Sequence, residues 1–170
     1  MEFFEKSAAL GNDVATYELG QMWEHGLGVE RDYVQAAALY REAIEGRYFA
    51  GLIALGTLHR DGKGVDQDYD KANRLFQRAL EIDLPGSAAS VGWMLIHGYG
   101  VLKDQEAGLR MIREAAVEGD YSGTYYYAEL LRGGELVPRD HDRAVELYRV
   151  AADKGNQHAV TALKRLGLEP

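Results

Sequence analysis

Gly26-Leu27-Gly28-Val29 returns as Gly62-Lys63-Gly64-Val65 and then as Gly98-Tyr99-Gly100-Val101, always after 36 residues. A weaker copy, Gly134-Glu135-Leu136-Val137, follows at the same interval. The aspartates beyond these loops keep that spacing too: Asp32, Asp68, Asp104 and Asp140. A fixed period of this length is typical of an array of similar supersecondary units that stack on one another.

Apolar residues between the loops recur at three- and four-residue steps, which is the period of one helical face. The glycine after the first helix of a repeat fits a left-handed C-cap, and the aspartate fits the N-cap of the second. First helices are predicted near 13–24, 48–60, 86–97 and 121–132, and second helices near 33–45, 69–81, 105–117 and 141–153. We therefore predict an all-α single repeat domain over 1–170, with repeats at about 11–46, 47–82, 83–118 and 119–155, an N-terminal half-helix at 2–9 and a capping helix at 156–166.

Three glycines interrupt the first helices at equivalent positions: Gly20, Gly56 and Gly92. Glycine inside a helix costs roughly 1 kcal/mol relative to alanine. A close approach of the second helix is the simplest compensation, so these positions are predicted to lie at helix contacts.

The mid-helix Leu-Gly, the Gly-x-Gly-Val loop, the aspartate three residues on and the alanine and aromatic of the second helix together resemble the Sel1-like repeat. The resemblance covers roughly residues 3 to 167. It implies a right-handed α/α superhelix of four tetratricopeptide-related helix pairs with half-repeat caps. It also implies a non-catalytic scaffold that binds another protein, and it supplies no catalytic residues.

Composition narrows the function classes further. With 27 acidic and 19 basic side chains the net charge is −8, which disfavours binding to nucleic acid or to anionic membranes. No apolar run is long enough to cross a bilayer, so no membrane insertion is predicted. Met1–Lys6 lacks the features of a secretory signal, which favours a cytoplasmic protein, or a periplasmic one if a signal was removed. The chain has no cysteine, which excludes disulfides and thiolate chemistry.

Two groups of residues could suggest a chemical site. The Gly-x-Gly loops follow helices and no Gly-Lys-Ser/Thr follows them, so structural turns are favoured over phosphate cradles. His25, Asp61 and His97 occupy the same position in successive repeats, and we call such a set of equivalent positions a column. Neighbouring helices lie roughly 8 to 10 Å apart, which is too far for these three side chains to converge on one ion. No metal, no cofactor and no catalytic residue is predicted, and the protein is not expected to be an enzyme.

Candidate partner-binding residues are those on the first helices that face away from the packed columns. Trp93 stands out because its column otherwise holds polar residues, which predicts a solvent-exposed binding hot spot. The alternative is that its ring folds onto its neighbours as additional packing. The predicted partner-binding set is Tyr17, Gln21, Glu24, Ile53, Thr57, Arg60, Trp93, Ile96, Tyr125, Tyr126, Glu129 and Arg132.

Two classes of function follow. The first is a scaffold that holds a peptide or helix of another protein on its concave face, with an immunity protein that occludes a toxin as a specific form. The second is recognition of a cell-wall or surface glycan, which a trimmed secretion signal would favour. Residues 1–46 carry nine acids and three bases, a net of −6, so a partner with a basic segment would be steered there, although a merely solvated acidic face explains the same charge. The oligomeric state stays open.

Overall fold

The computed structural model describes residues 2–169, and the regular secondary structure in that range is entirely α-helical. The predicted all-α class is confirmed. Its helices are α1 (Glu2–Ala9), α2 (Asp13–His25), α3 (Tyr33–Glu45), α4 (Gly51–Asp61), α5 (Tyr69–Glu81), α6 (Ser87–His97), α7 (Gln105–Val117), α8 (Tyr121–Gly133), α9 (His141–Asp153) and α10 (Gln157–Arg165).

The repeated loop works as a pair of helix caps, as its sequence predicts. Gly26 ends α2 with a φ of 69°, in the left-handed region that favours glycine, and its N–H donates to the carbonyl of Met22. Asp32 begins α3, and its carboxylate accepts from the N–H groups of Val34 and Gln35. Asp68, Asp104 and Asp140 cap α5, α7 and α9 in the same way. The loop glycines and aspartates therefore serve to end one helix and start the next.

Two first helices begin later than predicted. The predicted start of α4 was 48, but the helix begins at Gly51, after an N-cap alanine whose side chain offers no hydrogen bond. Arg47, with a φ of 76°, turns the chain just before it. The helix predicted from 86 begins at Ser87, because Gly86 has a φ of 86° and cannot be helical. Both helices were predicted too long because the apolar pattern of the helix continues into the residues of the preceding turn.

The helices form two compact halves, one ending at Leu84 and the other beginning at Pro85. In the N-terminal half, α2 to α5 surround a core that includes Tyr40, Leu55 and Leu58. In the C-terminal half, α6 to α10 surround a core that includes Ile112 and Tyr148. Within each half, consecutive helices pack as antiparallel neighbours. The prediction of one repeat domain with the boundaries given above stays a prediction.

Close helix approach at the mid-helix glycines is confirmed. A Cβ added to Gly20 would lie 2.6 Å from a ring carbon of Tyr40, and one on Gly56 would lie 2.6 Å from a ring carbon of Phe76. A Cβ on Gly92 would lie 2.8 Å from the carbonyl oxygen of Gly108. These contacts join the first and second helices of a repeat, so the helical cost of each glycine is offset by packing across the pair.

The second repeat places two polar side chains, one buried and one half-buried, in columns that are apolar elsewhere. His59 on α4 replaces Trp23, Leu95 or Leu131, and Asn73 on α5 replaces Ala37, Leu109 or Val145. His59 is 5% exposed, and within residues 2–169 its Nε2 and the Oδ1 of Asn73 have no hydrogen-bond partner.

We expect the double substitution His59→Leu and Asn73→Leu to raise the free energy of unfolding by at least about 1 kcal/mol, because each orphaned buried polar atom costs roughly 1–3 kcal/mol. Urea unfolding of the double and both single variants measures the effect. Each single variant should gain less than the double variant. A double variant less stable than the wild type would show that the two side chains are satisfied in solution.

Candidate functional site

The first helices of the C-terminal half present one continuous face. Helix α6 packs directly against α8, and the ring of Tyr125 on α8 lies 5.8 Å from that of His158 on α10, centroid to centroid. We call the surface formed by α6, α8 and α10 the A face. Second helices α7 and α9 pack against these helices. An A-face side chain is therefore held by side chains of the neighbouring first helices and by the second helix behind it.

A chain of ring contacts runs along the A face. Trp93 stacks on Tyr126 with the ring centroids 4.8 Å apart and the planes inclined by 21°, and its other neighbour is His97 at 4.3 Å. Tyr126 contacts Tyr125 at 5.3 Å. Such stacked and tilted pairs contribute about 0.5–1.5 kcal/mol each beyond burial. We call this set the aromatic row: Tyr99, His97, Trp93, Tyr126, Tyr125 and His158.

Trp93 is only partly in solvent. Its side chain is half-buried and packs against the core of the C-terminal half, so the ring is less exposed than the polar residues at the equivalent positions predict. The structure shows the alternative, in which the ring folds onto its neighbours, because Tyr126 offers it a flat aromatic surface on the next first helix. The remaining exposed part of the ring still belongs to the A face.

A hydrogen-bond network flanks the row. The hydroxyl of Tyr148 on α9 donates to Glu129 at 2.5 Å and accepts from Arg132 Nε at 3.2 Å. Arg132 also pairs with Glu129, with 2.9 Å between Nη2 and Oε2. Burial, reinforced by Glu129, raises the pKa of the Tyr148 hydroxyl, which therefore keeps its proton. Of the two predicted residues, Glu129 is partly buried and Arg132 is half-exposed, and both are held in place.

The equivalent position of the first repeat carries a different polar contact. The hydroxyl of Tyr40, which is fully buried on α3, donates to Glu24 Oε2 at 2.6 Å. Glu24 itself is 6% exposed. Nearby on α2, Gln21 donates to the hydroxyl of Tyr17 at 2.8 Å. Tyr17 and Gln21 are half-buried, so this part of the predicted set lies at the surface of the N-terminal half, with Glu24 beneath it.

Charges around Glu24 are largely paired with one another. Arg60 Nε donates to Asp61 at 2.7 Å, and Lys63 donates to the second oxygen of Asp61 at 3.0 Å. Burial alone would raise the pKa of Asp61, but Arg60 and Lys63 hold it below its ordinary value. Burial lowers the pKa of His25 to about 4, with help from Lys63, so His25 is neutral at pH 7. Burial raises the pKa of Glu24 above its usual value, although the hydrogen bond from Tyr40 opposes the rise.

Glu24→Gln is expected to make the protein more stable than the wild type at pH 7, because it removes a buried charge and keeps an acceptor for Tyr40. Since the pKa of Glu24 is raised in the folded state, the stability that its protonation adds is present below about 4.5 and is lost as the pH rises through the folded pKa. The advantage of Glu24→Gln should therefore shrink between pH 7 and pH 4.5. Urea unfolding across that range measures it.

Glu42→Gln is the matched control for this series, because it makes the same change at an exposed site on α3. It should change stability little and without a trend in this window. A loss of stability in Glu24→Gln that is equal at pH 7 and pH 5 would contradict the assignment. It would show that the ionised carboxylate is needed to hold Tyr40.

Four members of the predicted set are buried, so the prediction that they point away from the packing is wrong. Glu24 is covered through its bond to Tyr40, and Thr57 donates to the carbonyl of Ile53 at 2.9 Å within its own helix. Ile96, at 3% exposed, lies in the core of the C-terminal half, and Tyr126 lies under Trp93. Helical spacing alone places these residues on the row of first helices, but it does not show how closely the second helix approaches.

The remaining members differ in setting. Of these eight residues, only Arg132 is exposed. The other seven are half-buried: Tyr17, Gln21, Ile53, Arg60 beside Asp61, Trp93, Tyr125 and Glu129. The sequence reading missed three members of the aromatic row: His97, Tyr99 and His158. Spacing held one usable signal, because His97 follows Trp93 by four residues and therefore lies on the same helical face.

Within residues 2–169, no group of three or more histidine, cysteine, aspartate or glutamate side chains is arranged to hold a metal ion. The same part of the chain contains no helix with the length and apolar character needed to cross a bilayer.

Several solved structures are similar to this chain. A protective antigen of uropathogenic Escherichia coli strains, which displays an SLR fold, is 30% identical with a TM-score of 0.62 over 97% of this chain and 36% of its own. A Sel1 repeat protein from Oxalobacter formigenes is 28% identical with a TM-score of 0.65 over 95% of this chain and 64% of its own. This chain thus spans less than two thirds of either relative.

An immunity protein from Pseudomonas aeruginosa is 24% identical with a TM-score of 0.57, covering 96% of this chain and 61% of its own, and shows the fold alone. No curated protein is similar enough to match. The family model of the Sel1 repeat matches residues 1–12, 13–48, 50–83, 85–120 and 122–156. The predicted solenoid class and the resemblance are both confirmed. The chain belongs to the Sel1 repeat family.

Proposed function

We propose that this protein is a non-catalytic scaffold that binds a partner protein on the A face of its C-terminal half, centred on Trp93. Sel1 repeat proteins are generally protein-interaction scaffolds, which supports the general role. The single observation that carries the location is the aromatic row, in which six rings contact one another in sequence along α6, the loop that follows it, α8 and α10.

Packing of the row prepares it for binding. Half-buried aromatic rings held by neighbours lose little conformational freedom when a partner covers their exposed edges. The repeat itself does not need a tryptophan at position 93, since Gln21, Thr57 and Glu129 fill the same column in the other repeats. Tryptophan and tyrosine are also the side chains that most often dominate the energy of protein interfaces.

Affinity capture from the source organism, read by mass spectrometry, tests this proposal with three baits. The wild type should retain a partner that Trp93→Leu loses. Trp23→Leu is the matched control, because Trp23 is a half-buried tryptophan on α2 and the equivalent position holds leucine in the third and fourth repeats. A partner lost equally with both tryptophan variants would contradict the location. A captured toxin would make the scaffold an immunity protein.

A further inference from the structure

The imidazole of His97, at the end of α6, is held in one orientation beside Trp93. Its ring centroid lies 4.3 Å from that of Trp93 and 5.0 Å from that of Tyr99, whose plane is inclined to it by only 22°. Its Nδ1 lies 2.9 Å from the carbonyl oxygen of Trp93. A histidine on an open surface can turn its ring over, whereas these three contacts fix the ring of His97.

The contact with the carbonyl decides which nitrogen of His97 carries a proton. A carbonyl oxygen can only accept a hydrogen bond, so Nδ1 is the donor. In the neutral imidazole the other nitrogen, Nε2, is then an acceptor. Turning the ring over would place a carbon against the carbonyl and lose the hydrogen bond. Nε2 is therefore an acceptor of fixed direction.

This acceptor is accessible and is not used inside the protein. Within residues 2–169, the hydrogen bond to the Trp93 carbonyl is the one that His97 makes. The buried side-chain atoms without a partner in that range are His59 Nε2 and Asn73 Oδ1, so the Nε2 of the half-buried His97 is not among them and reaches the surface. The aromatic row thus contains one accessible acceptor of fixed direction.

An acceptor in this setting selects the group that binds to it. A carboxylate or carbonyl has no proton to donate, so covering Nε2 with such a group leaves a desolvated polar atom unpaired, which costs free energy. A site that pairs with a hydroxyl or N–H group rejects analogues without that group more strongly than an apolar pocket rejects a small change of shape. Because His97 contacts Trp93, this selection acts at the centre of the proposed binding surface.

We propose that His97 is a specificity-determining residue of the A face, whose Nε2 accepts a hydrogen bond from an O–H or N–H group of the partner protein. This inference rests on the proposed scaffold function, to which it adds the chemistry of the contact. The partner places a hydrogen-bond donor beside Trp93, and a carboxylate or carbonyl at the same place is rejected.

The direction of the acceptor is tested in the whole protein, without a ligand, by long-range ¹H–¹⁵N NMR of the histidine rings at pH 8. We expect a protonated Nδ1 and an unprotonated Nε2 for His97. The signal is assigned by its absence in His97→Phe, which keeps a flat ring between Trp93 and Tyr99. A proton on Nε2 would overturn the inference, because this nitrogen would then be a donor.

The preference for a donor is tested by titrating the same sample with phenol and, separately, with anisole, in which the hydroxyl is methylated. Phenol should shift the Nε2 signal of His97 to saturation in the millimolar range. It should bind at least about threefold more tightly than anisole, which corresponds to one hydrogen bond. His141, exposed at the start of α9, is the control within the same spectrum and should not shift.

Three outcomes of the titration would overturn the inference. Equal shifts from anisole would show that the ring is an apolar contact only, and an equal shift of His141 would show that phenol binds without selection. Phenol that binds His97→Phe as tightly as the wild type would show that Nε2 is not the acceptor. None of these outcomes alters the capture test with Trp93→Leu, so failure of this inference and failure of the A face are distinguishable.

Discussion

Gly56→Leu should lower the free energy of unfolding by roughly 1–3 kcal/mol, which is the usual cost of overpacking a filled core. A Cβ at this position meets the ring of Phe76 at 2.6 Å, and that ring is completely buried, so it has little room to move. Leucine adds three further carbons beyond the Cβ. The loss is measured as a lower midpoint in urea unfolding at constant slope.

Gly56→Ala tests the same overpacking with a smaller side chain. Ala128 holds the equivalent position of the fourth repeat, where it packs fully buried in the core that also contains Tyr148. Alanine at position 56 should therefore cost clearly less than leucine, since alanine also gains helix propensity over glycine. An unchanged midpoint in Gly56→Leu would show that α4 and α5 do not approach closely at this glycine.

Trp93→Leu should weaken binding of the captured partner about thirtyfold, which corresponds to about 2 kcal/mol, the lower bound for an interface hot spot. Leucine fills part of the indole's place against the core, so the variant should stay folded while losing the flat ring that stacks on Tyr126. Most of the loss should be faster dissociation, measured by surface plasmon resonance.

Two controls separate binding from stability. Trp23→Leu removes an equal ring that packs against the core of the N-terminal half, and it should lower stability more than affinity. Glu42→Ala changes an exposed residue of a second helix and should leave affinity unchanged. If Glu42→Ala weakened binding more than Trp93→Leu, the second helices would be the working surface and the A face would not.

The period of 36 residues allowed the helices to be predicted almost residue by residue, because each helix end carries its own cap. Asp32 and its repeats start the second helices where predicted, and Gly26 and its equivalents end the first helices within a residue. Prediction failed where a cap is missing. Ala50 and Gly86 offer no side-chain acceptor, so the starts of α4 and α6 depend on the turns before them.

Site residues were harder to predict. The repeat position of a residue shows which face of its own helix it occupies, whereas its burial also depends on the helix that packs against it. Glu24 looks like a surface residue in its column, yet Tyr40 on α3 reaches it. The other repeats hold polar residues at the position of Trp93, which predicts that its ring lies in solvent. Tyr126 in the next repeat is likewise unlike the residues at its equivalent positions, and its ring stacks on the indole. Contacts between two such unusual residues, which lie two helices apart along the chain, can be recognised only in the folded structure.

Binding on the A face is tested by ¹⁹F NMR of the protein labelled with 5-fluorotryptophan and titrated with its unlabelled partner. The chain has two tryptophans, so one spectrum holds the probe and its control, assigned from Trp23→Phe and Trp93→Phe. We predict that the resonance of Trp93 shifts or broadens to saturation at the stoichiometry of binding, while that of Trp23 stays in place. A Trp93 resonance that is unchanged at saturation would contradict the proposal that the partner binds on the A face.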